Sequence, residues 1–549
     1  MTNKEYSNIV IPEISKDWTY YENKYPERNL EKCAMVTRFA PSPTGFVHMG
    51  SLYTSFSDLQ MAKQTNGVAY LRIEDTDGKR TVENGVEGII NDFKSLNITW
   101  DEGPTQGGAY GPYIQSERMD IYKAFAKKLI EEEKAYPCFM TEDEINQVRT
   151  MQEVGKLRIG IYGTYSKYRN LGKEEAIAKI KADTPYIIRF KSNGNFENKI
   201  ILDDLIKGKI EMPENDQDIV IIKSDGLPTY HFAHVVDDHL MRTTHVIRGD
   251  EWVSSYPIHD ELFKSLGFKL PYFAHIAPIT IKEGEAIRKL SKRKDKEAAI
   301  SYYSQKGIPA DVIKLYLATV NNSGFEDWYT RNPNLTIDDY TFEFSKMPIG
   351  GSLFDIEKLN SISRIYFSSL TAAKIYDGLK EYTETYDKEF NEIVKREKEY
   401  TTNVLNIERN IAKPRKDISS YSDIKDLNWY MFDELFFEKE KNYEFQKIND
   451  KNEIANIIKE YFNSYFDLND DKDTWFNKVK LLCDKLGYAS NMKEFKQNPD
   501  IFKGNVSDIA TVIRVSLTTK SQTPDLYEIM QVMGMDRINK RIDYLNNNR

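Results

Sequence analysis

The chain has 549 residues, of which 40% are hydrophobic and 29% charged, and a formal net charge of −9 at pH 7. This length exceeds what one hydrophobic core serves and predicts roughly three to five domains. The composition excludes a largely disordered protein. No apolar run reaches the roughly 18 residues of a membrane span, and the N-terminal residues are too charged for a secretory signal. We therefore expect a cytoplasmic protein without a membrane partner.

The three cysteines, Cys33, Cys138 and Cys483, are far apart in the sequence and odd in number. They exclude a disulfide framework and a four-cysteine metal site, and they favour a reducing compartment. The negative net charge disfavours a wholly basic surface. A nucleic-acid partner needs only a local basic track, so the charge leaves such a partner open.

The first strong pattern along the chain covers residues 37–51 and reads TRFAPSPTGFVHMGS. An apolar run precedes it and a helical pattern follows it, which predicts a strand, a rigid turn and the start of a helix. Taken alone, this is also the pattern of an ordinary loop between a strand and a helix. A second strand pattern, VAYLRIEDTD, and an amphipathic helix follow, and they predict a βαβ unit with the loop where open α/β sheets bind nucleotides.

The α/β alternation is interrupted and then resumes, and the chain ends in long charged amphipathic helices. We therefore predict an α/β fold with a Rossmann-type nucleotide-binding catalytic domain, split by an inserted α+β subdomain and followed by an all-α half. The predicted boundaries are 1–34 for an N-terminal extension without an assigned role, 35–113 for the first Rossmann half, 114–217 for the insertion, 218–275 for the second half, 276–350 for a region with a Lys/Arg-dense loop, and 351–549 for the helical half.

Two stretches about 240 residues apart carry candidate chemistry. His48 is either a space-filling residue at the helix N-terminus or an imidazole donor that neutralises phosphate charge during the reaction. Gly50 would leave room for a nucleotide ring. The stretch KLSKRKD at 289–295 is either a solvated basic loop or a loop whose Lys289 and Lys292 close over a triphosphate.

These two stretches, V-H-M-G and K-L-S-K-R, resemble the two signature motifs of class I aminoacyl-tRNA synthetases. Together with RIEDTD, GPYIQSER, DGLPTYHFAHVVDDH and VIRGDEW, they resemble the glutamyl-tRNA synthetase branch in order and spacing over residues 35–317. The resemblance continues more weakly through PIGGSLFDIEKLN and through IRVSLTTKSQTPDLYEIM, which is similar to the end of the helical anticodon-binding domain of bacterial enzymes.

The resemblance implies an aminoacyl-tRNA ligase of protein biosynthesis. L-Glutamate and ATP, with Mg²⁺, would form glutamyl-adenylate and pyrophosphate, and the glutamyl group would pass to the 3′-terminal adenosine of tRNA(Glu). The resemblance also implies a monomer and leaves tRNA(Gln) open as a further substrate. It assigns catalytic roles to His48, Lys289 and Lys292. The ATP-binding residues that it implies are Thr44, His48, Gly50, Glu251, Lys289, Leu290, Ser291, Lys292 and Arg293.

A buried substrate carboxylate is best held by arginine, and Arg38 and Arg248 come at the carboxyl ends of two predicted strands. A neutral amide would leave that charge unpaired, so arginine there discriminates glutamate from glutamine. By position in the motifs, Ser42 and Glu74 would hold the α-amino end and Tyr230 would form a wall. The implied glutamate-binding residues are Arg38, Ser42, Glu74, Tyr230, His234 and Arg248.

The sequence departs from the family pattern at three places. Ser51 replaces the second histidine of the first motif, as is usual in this branch. His234 stands where the family commonly has asparagine, so it either serves as a neutral donor or belongs to a rearranged pocket with another pH dependence. Some relatives bind zinc through a Cys-x-Cys start in the insertion, but here Cys138 has no cysteine partner nearby, which predicts no zinc.

Candidate tRNA contacts in the helical half are Lys413, Arg415, Lys416 and Arg514, each of which could instead be an ordinary surface charge. The sequence disfavours three other functions. A nucleotidylyltransferase would not need the helical half or the paired arginines, and a non-catalytic RNA-binding paralogue is expected to have lost His48 or the loop lysines. The short paralogues that glutamylate a modified tRNA base lack an anticodon domain.

Overall fold

A computed structural model describes residues 1–12, 14–43, 45–77, 82, 84–291 and 294–547. The chain divides into two compact units: Met1–Ser304 with Ile313–Ile356, and Gln305–Val312 with the residues from Glu357 onwards. Within these ranges no helix combines the length and the apolar character needed to cross a bilayer.

The strands are short and the helices dominate both ends of the chain. The strands are β1 (Val36–Phe39), β2 (Val68–Leu71), β3 (Ala135–Cys138), β4 (Ile187–Phe190), β5 (Lys199–Asp204), β6 (Gly208–Pro213), β7 (Val220–Ile222), β8 (His245–Gly249), β9 (Tyr272–Ile276), β10 (Ile279–Glu283), β11 (Ala286–Lys289) and β12 (Ser352–Leu353).

The helices of the first unit, with the two helices that lead into the second, are α1 (Asn3–Val10), α2 (Trp18–Lys24), α3 (Met49–Lys63), α4 (Gly85–Ser95), α5 (Met119–Glu131), α6 (Glu142–Val154), α7 (Lys173–Lys181), α8 (Tyr230–Leu240), α9 (Tyr256–Leu266), α10 (Ile300–Lys306), α11 (Ala310–Asn321) and α12 (Phe325–Arg331). The remaining helices are α13 (Ile356–Ser369), α14 (Ala372–Tyr386), α15 (Lys388–Arg396), α16 (Lys398–Asn406), α17 (Asp423–Asn428), α18 (Asp433–Glu438), α19 (Lys451–Glu460), α20 (Lys472–Leu486), α21 (Met492–Gln497), α22 (Val506–Thr518) and α23 (Leu526–Asn547).

The predicted βαβ unit is present and positions the candidate site. Strands β1 and β2 are parallel, with Arg38 opposite Tyr70, and α3 connects them. The N–H of Thr244 donates to the carbonyl of Val36 at 3.0 Å, so the start of β8 lies beside β1. Strand β9 continues the sheet parallel to β8. The carboxyl ends of β1 and β8 therefore meet at one edge, as ligand sites in α/β sheets require.

The insertion is joined to the nucleotide-binding fold more closely than its sequence suggests. The apolar run 218–223 was expected to open the second Rossmann half, but β7 pairs antiparallel with β4 in the sheet β3-β4-β7 of the insertion. Its continuous apolar pattern predicts a buried strand without identifying the sheet. Strand β5 also pairs with β9, at Asp204 and Phe273, which brings Asp204 into the core of the nucleotide-binding fold.

The second unit is helical, as predicted. Its described residues contain helices and no strand. Its core includes Ile457, Val479, Ile513 and Ile529, all fully buried. Cys483 is buried in the same core and burial raises its pKa to about 12, so it packs as an apolar residue, as its helical stripe indicates.

The N-terminal extension packs against the catalytic fold. Arg28 donates to both carboxylate oxygens of Glu102 at 2.8 Å, and its Nε donates to the carbonyl of Met241 at 3.1 Å. Its guanidinium also lies 3.9 Å from the ring centre of Tyr110, and only 8% of its side chain is exposed. A planar, bidentate pair of this kind fixes both position and orientation.

We expect Arg28→Ala to lower the denaturation temperature of the first unit, since it leaves the mostly buried carboxylate of Glu102 with only the hydroxyl of Tyr113 and without its cation, at a cost of about 2–3 kcal/mol. Arg28→Lys should recover little, because lysine lacks the planar fork. The exposed Lys32 provides the control variant Lys32→Ala, and differential scanning calorimetry measures all three. An unchanged denaturation temperature for Arg28→Ala would show that other contacts hold the extension.

Candidate active site

A cavity of about 620 Å³ opens at the carboxyl ends of β1 and β8. Its lining combines the loop after β1, the start of α8, the end of β8 and the end of β11. The predicted site residues that line it are Arg38, Ser42, His48, Gly50, Glu74, Tyr230, Arg248, Glu251, Lys289 and Leu290. His234 and Ser291 are not part of this lining. The predicted residues Thr44, Lys292 and Arg293 lie outside the described residues.

A buried ion network holds Arg38 at the cavity wall. Its Nε lies 3.2 Å from Oδ2 of Asp238, and Nη1 of Arg72 donates to Oδ1 of the same carboxylate at 2.6 Å. Burial alone would raise the pKa of Asp238, but Arg38, His234 and Arg72 hold it well below its usual value. Asp238 is therefore a carboxylate shared by two arginines from neighbouring strands.

Glu74 joins this network from the end of the β2 region. Nη2 of Arg72 donates to its Oε1 at 2.9 Å. Burial raises the pKa of Glu74 against the opposing charges of Arg72 and Arg38. The carboxylate lines the cavity, so it offers an acceptor to an ammonium group of a ligand there.

Arg248 has different partners from Arg38. Its Nε donates to Nε2 of His275 at 3.0 Å, and its Nη1 lies 3.1 Å from Nδ1 of His259 and 3.4 Å from Nε2 of His234. Among the described residues no carboxylate lies within ion-pair distance of Arg248, and burial lowers its pKa. Arg248, whose guanidinium contacts all three imidazoles, also lines the cavity.

An aromatic wall stands beside Arg248. The rings of Tyr230 and Trp252 are 4.2 Å apart, and Tyr230 stacks parallel on His234 at 5.6 Å. Burial raises the pKa of Tyr230 to about 12, so its hydroxyl stays protonated. His234 therefore lies behind the wall: its Nδ1 is 2.9 Å from Asp238 and its Nε2 faces Arg248. Burial lowers the pKa of His234 to about 3, which keeps it neutral.

His48 is the N-cap of α3, and this role also determines its tautomer. Its Nδ1 accepts the backbone N–H of Ser51 at 3.1 Å, so in the neutral ring the proton must be on Nε2. A donor at Nε2 is what a phosphate oxygen requires. Gly50 was predicted to leave room for a nucleotide ring. The structure shows that it also leaves room for the imidazole of His48, because a Cβ at position 50 would lie 2.9 Å from Cε1 of His48.

The basic loop is anchored at its base. Arg288 donates to both oxygens of Asp295 at 2.7 Å, and the N–H of Ser291 donates to Oδ2 of Asp295 at 2.8 Å. These bonds from Arg288 and Ser291 lower the pKa of Asp295 to about 2. Lys289, at the end of β11, reaches the cavity and lies 3.6 Å from Glu251. Because both side chains are half-exposed, this ion pair can open to a phosphate at little cost.

No cluster of three or more metal-ligating side chains occurs among the described residues. Cys138 is buried in β3 as a free cysteine. Its position agrees with a packing role, and the absence of zinc stays a prediction that metal analysis of the purified protein tests.

The helical unit contains the candidate tRNA contacts. Lys413 is exposed, whereas only 7% of the Arg415 side chain is exposed. Nε of Arg415 lies 3.3 Å from Oδ1 of Asp417 in an ion pair, but its three guanidinium nitrogens make no hydrogen bond to the described residues. Arg514 is half-buried, with an unbonded Nε and a pKa that burial lowers. Burial raises the pKa of Tyr430 to about 12, and the charges of both Arg415 and Arg514 act on its hydroxyl. Both arginines therefore have guanidinium donors that a ligand could accept from.

Several site residues escape prediction from the sequence. Asp238 and Arg72 lie within the motifs of the resemblance but have no role assigned there, His259 and His275 lie in no motif, and Asp204 comes from the insertion. One signal was available: two adjacent aspartates, Asp237 and Asp238, in an otherwise apolar helix indicate buried cationic partners.

Comparison with known proteins agrees with this geometry. The family model "tRNA synthetases class I (E and Q), catalytic domain" matches residues 34–360, and the model "Anticodon binding domain" matches residues 374–545. The crystal structure of a glutamate tRNA ligase from Elizabethkingia meningosepticum, in complex with its amino acid, superposes with a TM-score of 0.75 at 25% identity, covering 94% of this chain and 99% of that one.

Curated relatives match over nearly the whole chain. The glutamate–tRNA ligase of Clostridium perfringens strain 13 is 46% identical over 99% of this chain and 100% of its own length. That of Acetivibrio thermocellus is 44% identical over 99% and 100%. The resemblance and the fold class predicted from the sequence are thereby confirmed, and the chain belongs to the glutamate–tRNA ligase family of class I tRNA synthetases.

Proposed function

We propose that this chain activates L-glutamate with ATP to glutamyl-adenylate and transfers the glutamyl group to the 3′-terminal adenosine of tRNA(Glu), as a cytoplasmic monomer. The observation that carries the proposal is the arrangement of Arg38, Arg248 and His48 around one cavity at the carboxyl ends of β1 and β8. Cations for a carboxylate and an imidazole donor for a phosphate thus face the same space.

The side-chain carboxylate of glutamate is bound by Arg248, whose charge no protein carboxylate neutralises within the described residues. Arg38 is already paired with Asp238, so it serves less as a free cation than as a fixed donor. Glu74 and Ser42 line the same cavity and receive the α-amino end. Glutamine would leave the cation of Arg248 unpaired, which is a costly error in a buried site.

Adenylate formation joins a carboxylate oxygen of glutamate to the α-phosphorus of ATP and releases pyrophosphate. ATP enters with Mg²⁺ as its substrate complex. The reaction needs alignment and neutralisation of growing negative charge rather than a protein nucleophile. His48 donates from Nε2, while Lys289 and the loop residues Lys292 and Arg293 supply positive charge at the departing phosphates. The terminal ribose hydroxyl of tRNA then attacks the adenylate carbonyl and AMP leaves.

In the helical unit, Arg415 and Arg514 contact tRNA, and Lys413 adds charge at the surface. The guanidinium of Arg415 pairs with Asp417 but makes no hydrogen bond to the described residues, so its donors are available to a ligand. This supports the proposal, because unstacked anticodon bases are recognised by arginine stacking and edge contacts. Aminoacylation assays with tRNA(Glu) and tRNA(Gln) side by side test which of the two is charged. If neither tRNA is glutamylated, the proposed function is wrong.

We expect Arg248→Gln to raise the KM for glutamate about 10²-fold or more, since it removes a buried charge partner of the substrate. The KM for ATP should change little. Aminoacylation at saturating tRNA, with glutamate or ATP varied, measures both constants, and exposed Arg331 supplies the control variant Arg331→Gln. An unchanged KM for glutamate would remove Arg248 from the substrate pocket.

Lys289→Ala is expected to slow adenylate formation about 10²-fold, the scale of one lost transition-state contact, without a comparable loss of glutamate affinity. ATP–pyrophosphate exchange in the presence of saturating tRNA reports this step. Lys282, an exposed lysine of the same β10–β11 hairpin, supplies the control variant Lys282→Ala. Near-normal exchange in Lys289→Ala would exclude a role at the phosphates.

Arg415→Gln should raise the KM for tRNA about tenfold while kcat at saturating tRNA and the KM for glutamate stay near the parent values, because it removes one RNA contact of the helical unit and no side chain of the cavity. Arg415→Lys keeps the charge but not the planar fork and should recover only part of the affinity. A parent-like KM for tRNA in Arg415→Gln, with the protein folded by calorimetry, would contradict the contact.

A further inference from the structure

Four of the seven histidines of this chain are gathered behind one arginine. His234 comes from α8, His259 from α9 and His275 from β9, and each contacts the guanidinium of Arg248 on β8. His231 stands behind His259, with its Nδ1 3.0 Å from Nε2 of that ring. The first three rings are fully buried, so no water screens their contacts.

Arginine only donates hydrogen bonds, and this determines the protonation of every ring that contacts it. The contacting nitrogens, Nε2 of His275 and Nδ1 of His259, must carry lone pairs. In the neutral rings the proton then lies on Nδ1 of His275, which is 2.6 Å from Oδ2 of Asp204, and on Nε2 of His259, which donates to His231. Each ring thus has a partner for both nitrogens in only one neutral tautomer.

Burial is the main reason that these rings stay neutral. Burial and then the charge of Arg248 lower the pKa of His259 well below its usual value, and burial lowers that of His275. For His231, burial and the charge of Arg248 lower the pKa to about 4. The rings around Arg248 are therefore acceptors rather than competing cations near neutral pH.

A neutral acceptor and a carboxylate differ in how much of an arginine's positive charge remains available to a ligand. A carboxylate such as Asp238 both orients its arginine and cancels its charge. Imidazole lone pairs orient Arg248 and offset part of its desolvation but add no negative charge. The guanidinium thereby keeps its full charge at the cavity wall.

We propose that His259 and His275 are positioning residues that hold the Arg248 fork through neutral ring nitrogens and so reserve its whole positive charge for the substrate carboxylate, with Asp204 of the insertion fixing the tautomer of His275. The proposal rests on the proposed function, since it concerns how the same pocket binds glutamate.

Three substitutions at position 259 separate orientation, charge and packing. His259→Leu removes the acceptor, His259→Asn retains an amide oxygen near the position of Nδ1, and His259→Asp introduces a carboxylate against Arg248. Aminoacylation is measured with glutamate varied at saturating ATP and tRNA, and with ATP varied at saturating glutamate and tRNA. The control variant is His239→Asn, because His239 lies on the same helix as His234 but pairs with Glu22 of the N-terminal extension.

We expect His259→Leu to raise the KM for glutamate about tenfold, the scale of one lost hydrogen bond to a charged group, with kcat and the KM for ATP within about twofold of the parent. His259→Asn should stay within about threefold of the parent. His259→Asp should raise the KM for glutamate about 10²-fold, because the new carboxylate neutralises Arg248. Equal effects of Leu and Asn, a parent-like Asp variant, or a loss confined to kcat would each overturn the proposal.

A second measurement does not depend on substitution or on activity. Nitrogen-15 NMR of histidine-labelled full-length protein at pH 7 should find His259 protonated at Nε2 and His275 protonated at Nδ1, and the opposite tautomer or a cationic ring would overturn the proposal. If the leucine variant does not fold, His275→Gln against His275→Leu repeats the comparison, since glutamine retains an acceptor near Nε2. A parent protein that fails to glutamylate tRNA overturns the proposed function, and the NMR result then decides the tautomers independently.

Discussion

Asp238 holds two arginines from neighbouring strands at one buried point, and the floor of the cavity depends on this interaction. Arg38 and Arg72 each contact its carboxylate, and all three side chains are almost fully buried. Burying two guanidinium groups without a shared counter-charge would cost several kcal/mol per ion. The pair of contacts also ties β1 and the end of β2 to α8, so the geometry of the substrate wall is set by the same interaction that joins these elements.

The two arginines that the sequence marks for a carboxylate are therefore unequal. Arg38 is neutralised and fixed by Asp238, whereas Arg248 faces three imidazoles and a carbonyl. A ligand carboxylate gains most where the cation has no other counter-charge, because each protein carboxylate nearby weakens that attraction. This asymmetry supports the proposal that Arg248 recognises the charge of the glutamate side chain, while Arg38 is a fixed part of the cavity wall.

The features that were predicted correctly from motifs are those that depend on residues close together in the sequence. The strand, turn and helix around His48 were predictable because the Pro/Gly turn, the N-cap and the helical stripe all lie within residues 34–64. Of the three histidines around Arg248, His259 and His275 were not predictable, because they are separated from Arg248 by other elements and lie in no motif. For the same reason β7 was placed in the wrong sheet: its apolar residues specify burial, while its partner β4 lies about 30 residues earlier.

The departure at His234 can now be understood in terms of hydrogen bonding. An asparagine side chain has one acceptor and one donor end, and a neutral imidazole in a single tautomer has the same pair. In this chain Nε2 lies 3.4 Å from Nη1 of Arg248, and Nδ1 lies 2.9 Å from Oδ2 of Asp238 without the geometry of a hydrogen bond. Burial lowers the pKa of His234 to about 3, so the ring is neutral near pH 7. It therefore lies between the Asp238–Arg38 pair and Arg248 without adding charge to either. Of the two interpretations that the sequence left open, the neutral His234 is favoured. Its Nε2 accepts from Arg248, and the ring is not part of the cavity lining, so it does not act there as a donor to the ligand.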